Sequence, residues 1–245
     1  LRWYHSERGD VSPATFIPLA EESGRILEID AWVIRAACRQ LRNWRDAGLA
    51  TSIAVNVSGK HFALGDPVAT IAREVAATGI SAADLTVEVT ESVLVRDMSR
   101  ARGQLQRLRA LGCKVAIDDF GTGYSSLAYL GRLPADEVKI DRAFIQNVHR
   151  NETDALIVQA IIGLLRGLGQ RVTAEGVENR AQLDWLQANG CTEVQGYLTG
   201  RAVRAHDILQ QILAVAGYGH RTDLALACCF LQLTKKSLCV LDRVA

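Results

Sequence analysis

The sequence predicts an α/β fold, a TIM-like (β/α) barrel. Three observations support this prediction: short apolar runs recur along the chain, amphipathic segments lie between them, and several of those segments stop at a glycine just before the next run. Repeated strand–helix units of this kind build a parallel sheet. Polar residues stand at the end of nearly every run, which favours a closed barrel over a doubly wound open sheet, because an open sheet gathers its ligands at one switch point. The open sheet remains the alternative.

The predicted strands are seven short apolar runs. Each run ends in, or leads into, a residue suited to bind a hard metal ion or a phosphate, and in the last six these residues are mostly acids. A parallel barrel places the carboxyl ends of its strands on one face, so residues that are distant in sequence converge there. The runs are residues 1–3, 53–57, 85–89, 115–117, 138–140, 172–174 and 194–197.

Amphipathic segments between the runs predict the helices. The first segment places Leu27, Val33, Leu41 and Trp44 near helical spacing, and Gly48 is a plausible end. Glycines at three other segment ends mark the point where a helix gives way to the next strand. The predicted helices are residues 27–47, 66–78, 98–111, 153–168, 180–189 and 206–216, and the three glycines are Gly79, Gly112 and Gly190.

Composition indicates a single domain of enzyme size. A chain of 245 residues with 49% hydrophobic residues can bury one large core. The formal net charge of +1 gives no basic field that would favour duplex nucleic acid or an anionic membrane as a partner, and no run has the roughly 20 apolar residues of a membrane span. Six cysteines without C-x-x-C spacing predict a reducing, cytoplasmic location. The chain does not begin with methionine, so we expect it to be part of a longer product.

Oxygen donors dominate the strand ends and predict a metal site. Asn56, Glu88, Asp118, Asp119 and Glu175 offer amide and carboxylate oxygens with no histidine or cysteine beside them, a set that suits Mg²⁺ or Mn²⁺ better than zinc. The adjacent acids at 118 and 119 repel each other unless a cation lies between them, and together they could bridge two ions.

Simpler structural roles remain open for several of these residues. Asn56 could cap the helix that follows it, and Glu91 could serve a helix amino terminus. Lys139 and Asp141 could form a surface ion pair, although a buried barrel strand argues against it. The glycine-rich stretch 121–126 lacks the lysine of a P-loop and is interpreted as a mobile active-site loop.

Six motifs in one order resemble the EAL domain family, the bacterial cyclic di-GMP phosphodiesterases. The most specific is DDFGTGYSSL at residues 118–127, which is similar to the signature loop of that family. The resemblance covers about residues 1–216. The other motifs are VNVS at 55–58, EVTES at 88–92, KIDR at 139–142, AEGVE at 174–178 and QGYL at 195–198, with an opening segment that includes RW at 2–3 and SPA at 12–14.

The resemblance implies metal-dependent hydrolysis of cyclic di-GMP to linear pGpG in bacterial second-messenger signalling. By this likeness, Lys139 would hold the attacking water or offset charge in the transition state, and Glu175 would be a metal ligand or the general base. Glu91 would stabilise the loop at 118–126. The implied ligands of two Mg²⁺ or Mn²⁺ ions are Asn56, Glu88, Asp118, Asp119 and Glu175, and the implied substrate-binding residues are Arg2, Asp141, Glu178 and Gln195.

One departure from the family pattern concerns the start of the chain. The Glu-Ala-Leu tripeptide that names the family would lie immediately before Leu1, and its glutamate is a metal ligand. We therefore expect an N-terminally truncated barrel, without the first strand and most of the second, that has weak activity or none. The alternative function is a catalytically impaired cyclic di-GMP receptor or a regulatory dimerisation module. The resemblance also implies a homodimer and an upstream sensory or GGDEF-type domain in the full-length product.

The tail at residues 217–245 does not resemble the family and is predicted to be separate from the barrel at 1–216. Its apolar stretches at 224–231 and 237–241 could form a hairpin, or the tail could be a loosely ordered, aggregation-prone extension. A further hypothesis is that the tail pairs with the open edge of the sheet and replaces the missing strands.

Overall fold

The protein is described by a computed structural model that covers residues 1–96, 98–121, 131, 133–201, 203, 205–208, 231–233 and 239–240. The strands are β1 (Arg2–His5), β2 (Gly9–Val11), β3 (Ile53–Asn56), β4 (Leu85–Thr90), β5 (Lys114–Phe120), β6 (Glu137–Ile140), β7 (Arg171–Ala174), β8 (Glu193–Val194), β9 (Leu231–Leu233) and β10 (Cys239–Val240). The helices are α1 (Pro13–Ser23), α2 (Ile26–Asp46), α3 (Gly59–Leu64), α4 (Pro67–Thr78), α5 (Glu91–Arg96), α6 (Met98–Leu111), α7 (Arg142–Ile145), α8 (Glu152–Gly167) and α9 (Arg180–Ala188), with 3₁₀ turns at Ala82–Asp84 and Ala205–Asp207.

A parallel sheet organises the chain. Its strand order is β8-β7-β6-β5-β4-β3-β9, and every neighbouring pair in it is parallel. From β3 to β8 the strands lie side by side in chain order with helices between them. This sequential order lacks the reversal that defines a doubly wound sheet. The predicted TIM-like (β/α) fold is therefore confirmed, and the sheet forms the open half of a barrel.

The first predicted strand lies outside this sheet, which corrects its assignment to the barrel. β1 pairs antiparallel with β2, with His5 opposite Gly9, and it belongs to a separate three-stranded sheet. A three-residue turn separates the two strands, and Gly9 adopts a φ of 67°. A connection that short permits an antiparallel hairpin, whereas a parallel neighbour needs a crossover of a dozen residues or more. Arg2 therefore belongs to the hairpin and not to a strand of the parallel sheet.

The two faces of the parallel sheet differ in chemistry. On β6, Val138 and Ile140 are fully buried in the main apolar core, and they alternate with Glu137 and Lys139 on the opposite face. The same alternation recurs on β4 and β7. Each buried aliphatic side chain contributes about 1.5–3 kcal/mol relative to an exposed one. The apolar face packs against the helices, and the polar face is left for the site.

The predicted helices are largely confirmed. Four of the six predictions match α2, α4, α6 and α8 to within about two residues, and a fifth matches α9. Gly79, Gly112 and Gly190 have positive φ angles of 66°, 102° and 78°, the left-handed geometry that ends a helix. Of the sixth prediction, residues 206–216, only 206–208 are described. The sequence prediction missed the helices α1, α3, α5 and α7.

The described tail residues form strands in two different sheets. β9 pairs in parallel with β3, with Leu231 opposite Ile53, and β10 pairs in parallel with β1, with Cys239 opposite Arg2. These two tail strands do not pair with each other, so the hairpin prediction is wrong for them. The position of β9 agrees with the hypothesis that the tail covers the open edge of the sheet. That residues 217–245 are separate from the barrel at residues 1–216 stays a prediction.

No helix in the described part of the chain combines the length and the hydropathy that are needed to cross a bilayer.

Candidate active site

Lys139 lies at the centre of an acidic cluster on the polar face of the sheet. The side chain is fully buried, and its Nζ lies 3.1 Å from the Glu88 carboxylate, 3.0 Å from Asp118 and 2.5 Å from Glu175. These acids come from β4, from β5 and from the residue after β7. A buried ammonium is strongly unfavourable unless it is paired, so three carboxylates around it account for its position. The alternative of a surface ion pair with Asp141 is therefore excluded.

Asn56 extends this cluster to β3. Asn56 and Glu88 are register partners in the β3–β4 pair, and the Asn56 amide Nδ2 donates a 2.8 Å hydrogen bond to Glu88 Oε2. The next residue reinforces the pairing, because the Val57 N–H donates to the Glu88 carbonyl at 3.0 Å. The amide oxygen of Asn56 is therefore held beside the acids by both side-chain and backbone contacts.

A bulge in β5 brings two successive acids to one place. Adjacent residues of a regular strand point to opposite faces, which would separate Asp118 from Asp119. The register between β5 and β6 shifts between Ile117 and Phe120, and Asp119 adopts a left-handed φ of 53°. As a result, ligand oxygens of Asp118, Asp119 and Glu175 all lie within 4.8 Å of one another.

Burial is the main cause of the raised carboxyl pKa values in the cluster, and its excess of negative charge adds to the shifts. Burial raises the pKa of Glu88 to about 8, with Asp118 and Glu175 adding to the shift and Lys139 opposing it. Burial also raises the pKa of Glu175. For Lys139, burial favours the neutral form, but the three carboxylates outweigh it and raise the pKa well above its ordinary value.

The donor set fits a hard divalent cation. Carboxylate and amide oxygens are the preferred ligands of Mg²⁺ and Mn²⁺, and a cation would compensate the excess negative charge of the cluster. Asp118, Asp119 and Glu175 are close enough to share one ion, and Asn56 and Glu88 adjoin them.

Glu91 connects the cluster to the loop at 118–126. It is the first residue of α5, and its buried Oε2 accepts a 2.9 Å hydrogen bond from the Gly121 N–H. Gly121 has a φ of 101°, and a Cβ at this position would lie 2.6 Å from the Phe144 ring. Glu91 thus stands at a helix amino terminus and also binds the start of the loop. Residues 122–126 of the loop lie outside the described residues.

The remaining predicted residues flank the cluster or lie apart from it. Asp141 caps α7 by accepting a 2.8 Å hydrogen bond from the Ala143 N–H. Glu178 forms a 2.8 Å ion pair with Arg142, and both side chains are about half exposed. Gln195 follows β8, and its N–H donates to the Ala174 carbonyl at 2.8 Å. Their substrate-binding roles stay predictions.

Arg2 lies on β1, in the hairpin, and its predicted role in binding a phosphate stays a prediction. The residues that the structure does bring together are Asn56, Glu88, Asp118, Asp119, Lys139 and Glu175.

Three buried acids were missed by the sequence prediction. Glu137 and Glu193 both bind Arg171 at the opposite end of the polar face. Each lies two residues before a predicted site residue, Lys139 or Gln195, and this spacing places it on the same face of its strand. Asp30 is a buried acid on the apolar side of α2, four residues after Ile26, where the helical spacing calls for a core residue. An acid in a core position is a signal because it must have a polar partner.

Fold and site together define an α/β-barrel protein with a lysine-centred, carboxylate-rich site at the carboxyl ends of its strands. The family model for the EAL domain matches residues 1–202. A curated relative, the bifunctional diguanylate cyclase/cyclic di-GMP phosphodiesterase MucR of Pseudomonas aeruginosa, is 45% identical over 213 residues, or 86% of this chain. The chain belongs to the EAL domain family. It spans about a third of the length of MucR, at 31%.

Solved structures show the same fold. The MucR phosphodiesterase in complex with cyclic di-GMP is similar with a TM-score of 0.78 and 46% identity, over 82% of this chain and 81% of that one. A calcium and cyclic di-GMP complex of BlrP1 from Klebsiella pneumoniae is similar with a TM-score of 0.62 and 31% identity, over 71% of this chain and 43% of that one. Both structures therefore hold the dinucleotide on a fold that this chain shares.

Proposed function

We propose that this domain is a metal-dependent phosphodiesterase that hydrolyses cyclic di-GMP to linear pGpG. The observation that supports the proposal most directly is the contact of the buried Lys139 ammonium with three carboxylates from neighbouring strands, beside a fourth at Asp119. The names of MucR and the cyclic di-GMP in its complex support the choice of substrate.

The chemistry of the donor set supports metal dependence. Asp118, Asp119 and Glu175 would hold one Mg²⁺ or Mn²⁺ ion, and Asn56 and Glu88 would complete the ligands of a pair of ions. Bound ions of this kind supply Lewis acidity, lower the pKa of bound water and stabilise the leaving oxygen of a phosphodiester.

Glu175 is proposed as the general base. Burial and neighbouring acids raise its pKa, and a carboxylate with a raised pKa accepts a proton more readily from an attacking water. Lys139 contacts Glu175 at 2.5 Å and fixes the orientation of its carboxylate. The same ammonium offsets negative charge on the phosphate as the water oxygen bonds to phosphorus and the ribose 3′ oxygen leaves. One such cleavage opens the ring and yields pGpG.

The flanking residues are proposed to bind the dinucleotide. Asp141, Glu178 and Gln195 follow the carboxyl ends of β6, β7 and β8, where a ligand over the cluster would contact them. Arg2 is proposed to bind a phosphate, and Glu91 is proposed to stabilise the loop at 118–126 through its bond to Gly121.

The partners and the location of the protein are also part of the proposal. We propose a cytoplasmic bacterial signalling protein that acts as a homodimer, with a GGDEF-type or sensory domain elsewhere in the full-length product. The cyclase activity in the name of MucR supports the second domain.

The test is turnover by the purified protein with Mg²⁺ or Mn²⁺, with linear pGpG measured by chromatography. Glu175→Gln should lower turnover by more than about 100-fold while cyclic di-GMP still binds, because the carboxylate is a base and the amide is not. Glu152→Gln, an exposed acid at the start of α8, should leave turnover unchanged. Intact cyclic di-GMP with both metals would contradict the proposal, and binding without turnover would support the receptor alternative.

A further inference from the structure

We propose that Asp30 is a positioning residue, which holds the turn after β3 so that Asn56 stays against Glu88 in the candidate metal site. This inference rests on the proposed function, since it assigns a purpose to the placement of Asn56. Asp30 itself lies on α2, in the outer layer, and contacts neither substrate nor metal in this assignment.

A single carboxylate oxygen of Asp30 makes three contacts, two with Ser58 in the turn after β3 and one with His61 on α3. Asp30 Oδ2 accepts hydrogen bonds from the Ser58 N–H at 2.9 Å and from the Ser58 hydroxyl at 2.7 Å. The same oxygen lies 3.3 Å from Nδ1 of His61, a buried ring on α3. Asp30 is only 5% exposed, so these groups, and not water, provide the hydrogen bonds to its carboxylate.

The turn that Asp30 binds begins at the candidate metal ligand. Ser58 is two residues after Asn56, and the residue between them donates its N–H to the Glu88 carbonyl at 3.0 Å. The segment is therefore held on one side by β4 and on the other by α2. A shift of the turn would move the Asn56 side chain away from Glu88, to which it donates a 2.8 Å hydrogen bond.

Two elements hold the segment around Asn56 within the described residues. Asn56 has its described register partner on β4, at Glu88. The described pairing of β9 with β3 covers Ile53, Ala54 and Val55. The contact from α2 to Ser58 therefore adds an anchor on the turn itself, just beyond the end of β3.

Helix α3 is also held by α6, so the loss of the Asp30 carboxylate should affect only the residues near Ser58. Arg100 and Gln104 on α6 both donate to the Phe62 carbonyl, at 2.9 and 3.0 Å. The Ser58 hydroxyl also caps α3 by accepting from the His61 N–H at 3.2 Å. Loss of the Asp30 carboxylate should therefore loosen the residues around 57–61 and leave the end of α3 in place.

The experiment measures two quantities in the metal-free protein and in a Mn²⁺ titration. Asp30→Ala should speed amide hydrogen exchange at residues 57–61 and raise the Mn²⁺ concentration for a half-maximal thermal shift by roughly 10-fold, the usual effect of losing a group that orients a metal ligand. Asp30→Asn should recover part of both effects, because the amide oxygen can still accept from Ser58. Ser58→Ala should produce a smaller effect in the same direction.

Glu74→Ala is the matched control. Glu74 is a buried acid on α4 that pairs with Arg35 and Arg73 and does not bind the turn, so its loss should lower stability without changing exchange at 57–61 or Mn²⁺ affinity. The proposal is overturned if Asp30→Ala leaves the 57–61 amides as protected as Glu74→Ala does, or if it lowers the melting temperature without shifting the Mn²⁺ midpoint. A wild-type protein that hydrolyses no cyclic di-GMP would contradict the proposed function alone, because the exchange measurement decides the role of Asp30 without turnover.

Discussion

The Thr173 hydroxyl donates a 2.6 Å hydrogen bond to Glu137, two residues before Lys139 on the same face of β6. Glu137 in turn binds Arg171, which also binds Glu193 at 2.9 Å. The polar face of the sheet therefore contains two charged clusters, one at the carboxyl ends of the strands and one at the amino ends. The first cluster is proposed to act on the substrate, and the second stabilises the strands that position the first.

Replacement of Arg171 should destabilise the fold. Arg171→Met leaves Glu137 and Glu193 buried without their cation, which should cost about 2 kcal/mol of unfolding free energy in urea, a moderate value because the Arg171 side chain is 31% exposed. Burial and then Glu137 already raise the pKa of Glu193. Without the cation this pKa should rise further, so the folded state retains a proton that the unfolded state has lost, and the loss of stability should be larger at about pH 8 than at about pH 5.

The control for this variant is Arg180→Met. Arg180 forms an exposed pair with Asp184 four residues later, and such pairs contribute about 0.3–0.5 kcal/mol. Equal losses in the two variants, or a loss at Arg171 that does not vary with pH, would show that the amino-end cluster does not stabilise the sheet.

The metal-free protein should become less stable as the pH rises through the titration of Glu88. Its carboxyl has an ordinary pKa of 4.5, which burial raises to about 8 in the folded state. Between these values the folded state retains a proton that the unfolded state has released, so the free energy of unfolding falls with rising pH. Glu88→Gln removes this titration and should flatten the slope.

Urea denaturation in EDTA at several pH values measures that slope. Glu152→Gln, at an exposed position, should keep the wild-type slope. A Glu88→Gln protein with the same slope as the wild type would rule out Glu88 as the titrating group.

Gly196 should not tolerate a side chain. A Cβ at this position would lie 2.1 Å from the Val177 carbonyl oxygen, a backbone atom that already accepts from the Leu198 N–H at 3.1 Å. Gly196→Ala must therefore displace the loop that carries Glu178, and we expect a lower melting temperature and weaker cyclic di-GMP binding in calorimetry.

Gly163→Ala provides the comparison, because nothing lies within 4 Å of its added Cβ and the residue is inside α8. Alanine favours the helix over glycine by roughly 0.5–1 kcal/mol, so this variant should be slightly more stable than the wild type with unchanged binding. The prediction for Gly196 fails if the two variants bind and melt alike.

The buried thiols should be unreactive in the folded protein. Burial raises the pKa of Cys38 to about 12 and that of Cys113 to about 11, and only the thiolate reacts with alkylating reagents. Peptide mapping after treatment with iodoacetamide should find both unmodified in native buffer and modified in guanidinium chloride. Modification of Cys38 in native buffer would show that α2 opens on the time scale of the reaction.

The sheet and most of its helices were predictable because their signals are local. Short apolar runs identified β3 to β8, and residues such as Glu88, Asp118 and Lys139 at the strand ends indicated the site. The parallel topology then places the carboxyl ends of all these strands on one edge of the sheet.

Features that depend on distant contacts were not predictable from these patterns. The bulge that brings Asp119 beside Asp118 depends on the register between β5 and β6, which no short segment encodes. The antiparallel pairing of β1 with β2 was missed because a three-residue run has the same apolar character in either kind of sheet. Asp30 was missed because its partner, Ser58, is 28 residues away.

The Lys139 ammonium has a consequence for how the protein matures. Acids that converge during folding would repel one another if no positive charge lay near them. A chain that relied on a metal ion for this positive charge would need the ion while it folds. Here an ammonium that offsets part of this charge is part of the polypeptide and lies within 3.1 Å of Glu88, Asp118 and Glu175. We therefore expect the chain to fold before it binds the proposed metal ions, so that biosynthesis and activation are separate steps.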